Sequence, residues 1–131
     1  MTHSMSGGRP IALVVDDEPL IEMEAVDVFH DLGYEAIGTR NADQAMLILR
    51  ARDDVALVFT DIEMPGTMNG LVLAAIIEAT WPGIQVLVTS GRTTPPDEML
   101  LGRARFLPKP YDARQIERAL ALMAASGSLA P

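Results

Sequence analysis

Val55-Ala56-Leu57-Val58-Phe59-Thr60-Asp61-Ile62-Glu63-Met64-Pro65-Gly66 decides how the rest of the chain is read. A short apolar run bounded by turn residues is the pattern of a strand covered on both faces. This run stops on an aspartate and passes into a Pro-Gly loop, so Asp61 sits where a strand leaves the core and meets solvent. A carboxylate there is either a turn or capping residue, or it carries chemistry.

Outward from that stretch the same alternation repeats. Ile11–Val15 reads as a first strand, ending in Asp16-Asp17-Glu18-Pro19, where the proline favours a helix start. The helix that follows places Ile21, Ala25, Val28, Phe29 and Leu32 on one face and ends at Gly33. Tyr34–Gly38 is a short second strand, and Asn41 caps a helix carrying Ala45, Met46, Ile48 and Leu49. Beyond the Pro-Gly loop, Asn69-Gly70 opens a helix through Leu71, Leu73, Ala74, Ile77 and Glu78, closed by Trp81-Pro82-Gly83. Ile84–Val88 is a fourth strand leading into Thr89-Ser90-Gly91. Pro95-Pro96 can stand only at a helix start, which leaves a shortened fourth helix around Asp97–Leu101. Arg105–Leu107 is a brief fifth strand before Pro108-Lys109-Pro110, and Asp112 caps a last helix through Ile116, Ala119, Leu120 and Met123.

Repeated strand–helix units imply an α/β fold with a parallel sheet covered on both faces. The expected architecture is a flavodoxin-like three-layer (βα)5 sandwich, its five-stranded parallel sheet in the order 2-1-3-4-5. One domain over residues 10–125 is expected, with a flexible leader at 1–9 and a flexible tail at 126–131. Nearly half of the 131 residues are apolar (49%) and 21% are charged, enough to build a core. The net charge of −8 disfavours nonspecific binding to nucleic-acid phosphates. There are no cysteines, so thiol catalysis, disulfides and thiolate metal sites are excluded. No apolar stretch reaches the length of a membrane span, and Met1–Arg9 lacks the apolar core of a secretory signal.

The strand order carries the functional argument. It makes the first and third strands neighbours at the switch point, where such sheets bind ligands beyond the carboxyl ends of their strands. Asp16-Asp17, Asp61, Thr89 and Lys109 all lie at those ends. Three carboxylates held close together repel, and a hard divalent cation with oxygen ligands relieves them; Mg²⁺ suits such a site. A lysine and a threonine hydroxyl suit phosphate oxygens. Phosphoryl transfer needs mainly positioning and charge neutralisation, so Asp61 is the economical candidate for an aspartyl-phosphate acceptor. No G-x-x-x-x-G-K-[ST] nucleotide cradle is present, which points to a protein or small-molecule phosphodonor.

Val14-Val15-Asp16-Asp17-Glu18, Asp61-x-x-Met64-Pro65, Thr89-Ser90-Gly91 and Lys109-Pro110 together resemble the receiver domain of two-component response regulators, of the stand-alone chemotaxis type. The resemblance runs from about Ile11 to Met123. It implies a cytoplasmic phosphorelay protein that takes a phosphoryl group onto Asp61 from a histidine kinase or histidine phosphotransfer protein. It implies Mg²⁺, or Mn²⁺ in its place, bound directly by Asp17 and Asp61, by Asp16 through water, and by the backbone carbonyl of Glu63. Thr89 would hydrogen-bond the phosphoryl group, Lys109 would pair with it, and Phe106 would be the switch aromatic. A cis Lys109–Pro110 bond is implied as well. Output would pass through protein contacts, from a monomer or a weak phosphorylation-dependent homodimer, with catalysis limited to the domain's own phosphorylation and dephosphorylation.

The chain departs from the family pattern in three places: a loop from Asp61 to Gly70 one residue longer, the extra carboxylate of Glu63, and the shortened fourth helix. Glu63, two residues past Asp61, also sustains a different reading, a Mg²⁺-dependent phosphohydrolase with an aspartyl intermediate. A receiver-shaped scaffold that is never phosphorylated is a third. Taken singly, Asp17 reads equally well as a helix cap, and Lys109 more readily as a solvated lysine. Their agreement at separate strand ends favours the joint site. His30 reads as solvated or structural, Trp81 as a packing or interface aromatic, and the methionines as core filler.

Overall fold

The computed structural model describes residues 8–64, 66, 68–91 and 104–127. In chain order the elements are β1 (Ile11–Val15), α1 (Pro19–Asp31), β2 (Glu35–Thr39), α2 (Ala42–Ala51), β3 (Val55–Asp61), α3 (Gly70–Thr80), β4 (Gln85–Ser90), β5 (Arg105–Pro108) and α4 (Ala113–Gly127). The strands form one parallel sheet in the order β2-β1-β3-β4-β5, as expected. The expected fourth helix around Asp97–Leu101 lies outside the described residues. The last helix runs to Gly127.

Two apolar layers sandwich the sheet. Ala12, Val14, Leu57, Phe59, Leu87 and Leu107 face Ala25 and Phe29 of α1 and Ile116 and Met123 of α4. Leu13, Val15, Val58, Val86 and Val88 face Leu49 of α2 and Leu73 and Ile77 of α3. This two-sided cover explains why β1 is apolar without alternation and buried at every position. Edge strand β2 alternates more and leaves Glu35 and Gly38 exposed. Among the described residues, no helix is long and apolar enough to cross a membrane.

Helix ends follow local chemistry. Asn41 Oδ1 accepts from Gln44 N at 2.8 Å, while Gln44 Oε1 accepts from Arg40 N at 2.9 Å. Asn69 Oδ1 accepts from Val72 N at 3.0 Å. Asp112 and Gln115 form a reciprocal box at 2.9 and 2.8 Å, which satisfies two otherwise orphaned amides at the start of α4. Gly33 follows the end of α1 at φ +101°, a conformation other residues adopt only with strain. An Asn41→Ala variant is expected to lose about 1 kcal/mol in urea unfolding, the usual worth of an N-cap. A loss below a few tenths would mean that Gln44 alone holds the turn.

Strand lengths differ from the sequence reading in one useful way. The fourth strand begins at Gln85, not Ile84, and continues through Thr89 and Ser90. Hydroxyl residues hide a strand from an apolar pattern, but pairing with β3 carries it on: Thr60 stands opposite Val88 and Asp61 opposite Thr89. The carboxyl ends of the two strands are therefore level.

Candidate acceptor site

Asp61 is the last residue of β3 and is 3% exposed. One oxygen, Oδ2, lies 3.2 Å from Lys109 Nζ; the other accepts from the Glu63 backbone N–H at 3.3 Å. Asp16, which follows β1, is equally buried; its Oδ2 lies 3.4 Å from the same lysine and its Oδ1 accepts from Glu18 N at 3.0 Å. Asp17 is exposed. It is not the helix cap: Glu18 holds that position in α1, without a side-chain capping bond. Asp16, Asp17 and Asp61 each present a carboxylate oxygen, and these oxygens lie within 4.8 Å of one another. Lys109 is thus shared between two buried carboxylates.

The electrostatics record the crowding. Burial, helped by the charges of Asp16 and Glu63, outweighs Lys109 and raises the Asp61 pKa to about 6. Asp16 is raised as well, chiefly by burial, against the Glu18 N–H and Lys109. Burial pulls Lys109 downward, but the two aspartates overcome it and leave its pKa raised. The carboxylates outnumber the lysine, and a multivalent cation is the natural complement. Their all-oxygen donor set fits one.

Across the sheet, Thr89 is 1% exposed and its Oγ1 has no hydrogen-bond partner among the described residues. A buried hydroxyl without a partner costs free energy, which is why such groups cluster where a ligand completes them. An open cleft of about 620 Å³ at this edge is lined by Asp17, Glu18, Asp61, Glu63, Met64, Gly91 and Lys109. The Lys109–Pro110 peptide is cis, as the resemblance implied. The loop ends are tied together by Ile62 N donating to Thr89 O at 2.8 Å and Lys109 N donating to Ser90 O at 3.0 Å.

Phe106 stands apart from this cluster. It pairs with Val88 in the sheet and packs, half-buried, on the α2/α3 layer. Trp81 caps the end of α3 and packs on that same layer, while His30 is exposed in the last turn of α1. Three residues have contacts around the site that the sequence does not assign them. Ser90, 3% exposed, donates from Oγ to Glu63 Oε2 at 2.5 Å. Gly70 abuts the backbone of Asp61. Tyr111 stacks edge-on against Phe59 at 5.4 Å, with a buried hydroxyl whose pKa is pushed up by burial first and by Asp16, Asp61 and Glu24 next. The level register of β3 and β4 was the one signal that could have placed Ser90 beside the acceptor loop.

Comparison with known proteins agrees with this geometry. The response regulator receiver domain family matches residues 12–121. The nitrogen assimilation regulatory protein NtrX of Azorhizobium caulinodans is 35% identical over 116 residues, covering 82% of this chain and 25% of that protein. The crystal structure of a response regulator receiver protein from Pseudomonas putida is 30% identical with a TM-score of 0.75, covering 87% of this chain and 97% of the other. A receiver protein from Sinorhizobium medicae superposes with a TM-score of 0.81 at 19% identity, over 87% of this chain and 93% of the other, and shares the fold. The chain belongs to the response regulator receiver domain family. Receiver domains are signalling domains of two-component systems. The chain spans about a quarter of the length of the curated relatives it matches.

Proposed function

We propose that Asp61 accepts a phosphoryl group from a histidine kinase or histidine phosphotransfer protein, and that the resulting change in charge is read by a protein partner. The observation that carries the reading is the gathering of Asp16, Asp17 and Lys109 around the Asp61 carboxylate, level with the unpartnered hydroxyl of Thr89. In this reading a carboxylate oxygen of Asp61 forms the new P–O bond and the P–N bond of the phosphohistidine breaks. The imidazole nitrogen keeps the bonding pair and takes a proton from water. Lys109 pairs with the transferred group, and its shared position between Asp16 and Asp61 lets it follow the added charge. Thr89 Oγ1 gains the phosphoryl oxygen as its hydrogen-bond acceptor.

Asp16, Asp17, Asp61 and the backbone carbonyl of Glu63 would hold Mg²⁺, with Mn²⁺ as a substitute. The bound ion would neutralise phosphoryl oxygens as charge builds during transfer. Phe106 is assigned the switch role through its neighbour: a shift of Thr89 displaces Val88, against which Phe106 is paired.

Intact-mass spectrometry after incubation with acetyl phosphate tests the reading. A single Mg²⁺-dependent phosphoryl adduct is expected on the wild type and none on Asp61→Asn. A folded wild type that never acquires the adduct and does not consume the donor removes the acceptor claim. Steady donor consumption without an adduct points to fast dephosphorylation of Asp61 or to a phosphohydrolase.

A further inference from the structure

Glu63 is fixed at two points. Its backbone N–H sits on Asp61 Oδ1, and its carboxylate is bound by Ser90 Oγ from the end of β4. The residue lines the acceptor cleft beside Asp61, close enough for its charge to raise the Asp61 pKa. Ser90 is itself held rigidly: it is buried at a strand end, and its carbonyl accepts from Lys109 N at 3.0 Å. A carboxylate at this position has two very different uses. Tied to Ser90, it is occupied as a hydrogen-bond acceptor and anchored to the sheet. Released, it is a basic group two residues from the acceptor, on the rim of the cleft through which water reaches Asp61.

We infer that Ser90 is a positioning residue that restrains the Glu63 carboxylate and thereby prolongs the life of the phosphoryl group on Asp61. The inference rests on Asp61 being the acceptor. The restrained step is hydrolysis of the acyl phosphate. Water oxygen attacks phosphorus, a water proton passes to the Glu63 carboxylate, and the P–O bond to Asp61 breaks with its electron pair returning to the aspartate. Inorganic phosphate leaves. A well-placed general base contributes roughly 10²–10⁴-fold to such a step. A carboxylate that swings freely is placed only part of the time, so a smaller gain is expected when the restraint is removed. Repulsion between Glu63 and the phosphoryl oxygens acts the other way, but it is present in both arrangements and largely cancels in the comparison.

The test loads the 131-residue chain with acetyl phosphate and Mg²⁺, removes the donor by rapid desalting into Mg²⁺ buffer, and follows adduct decay by intact mass. Ser90→Ala is expected to shorten the half-life about tenfold, below the roughly 10²–10⁴-fold of a well-placed general base because the freed carboxylate is in place only part of the time, with a normal solvent deuterium isotope effect. Ser90→Thr, which keeps the hydroxyl, retains the wild-type half-life. The double variant Ser90→Ala/Glu63→Gln decays within about twofold of Glu63→Gln, because the base is gone. Thermal melts of each variant establish that it is folded. Wild-type decay in Ser90→Ala overturns the inference, as does a double variant that decays as fast as Ser90→Ala alone. A wild type that takes no phosphoryl group removes the acceptor reading and this inference with it; a wild type that is labelled while the Ser90 variants decay unchanged overturns the inference alone.

Discussion

Gly70→Ala is expected to cost about 3 kcal/mol, the upper part of the range for forcing atoms into a packed site, and to slow labelling of Asp61. Gly70 is the first residue of α3, and its N–H donates to Ile62 O at 3.0 Å. A Cβ there would lie 2.7 Å from the Asp61 carbonyl carbon and 2.9 Å from Ile62 Cα, and would overlap the Asp61 carbonyl oxygen. All three obstacles are backbone atoms, so no rotamer change relieves them. The strand is pinned as well, by Asp61 pairing with Thr89 and by Ile62 N on Thr89 O. Either α3 retreats from Leu73 and Ile77's place in the core, or Asp61 moves. At roughly 3 °C per kcal/mol for a domain of this size, the melting temperature falls by about 10 °C. Gly83→Ala is the control: nothing among the described residues lies within 4 Å of its added methyl, and it stays within about 0.5 kcal/mol of wild type. A Gly70→Ala protein as stable as the control would mean that the close approach is not obligatory.

The same residue shows what the sequence conveys and what it withholds. Asn69-Gly70 announces a helix start through its capping asparagine, and the helix is there. That the glycine is also demanded by a strand running beneath it depends on tertiary contact, which no local pattern encodes. Asp16, Asp61 and Lys109 were legible because each interrupts an apolar run at a strand end, and the parallel order β2-β1-β3-β4-β5 then brings those ends together. Thr89 and Ser90 belong to β4, which the apolar pattern alone ends at Val88, since hydroxyl side chains do not extend an apolar pattern even when the backbone pairs onward. The Glu63–Ser90 contact joins residues of separate segments and is fixed only by register. Asp17 reads equally as cap or ligand in isolation. The structure gives the capping position to Glu18 and leaves the Asp17 carboxylate beside Asp16 and Asp61.

Asp61→Asn is expected to make the metal-free protein more stable at pH 8, by about 2 kcal/mol, although it removes an ion pair with Lys109. The sign follows from the raised pKa. The folded protein holds the Asp61 proton up to about pH 6, whereas the unfolded chain releases it near its ordinary value of 3.8. Between those values the folded state binds more protons, so stability falls as pH rises; above the folded value the full cost persists. A rise of that size corresponds to roughly 3 kcal/mol at 1.4 kcal/mol per unit, and water entering the open cleft reduces it. Asparagine abolishes the term, so the difference between variant and wild type should grow from near zero at pH 4 to its plateau above pH 7. Subtracting the two curves cancels groups away from the site, such as Asp54, whose pKa Arg52 lowers through a 2.8 Å hydrogen bond. A divalent cation should reverse the ranking. It binds the folded wild type through carboxylates that otherwise repel, and its stabilisation grows with concentration over Kd; the variant, short of one carboxylate, gains less. Thermal melts in EDTA and in Mg²⁺ across pH 4–8 measure both effects. If Asp61→Asn is the less stable protein in EDTA at pH 8, the Lys109 ion pair outweighs burial and the crowding of charge is not what the acceptor site stores. If it is the more stable, the aspartate is retained at the expense of stability, as expected of a group kept for its chemistry.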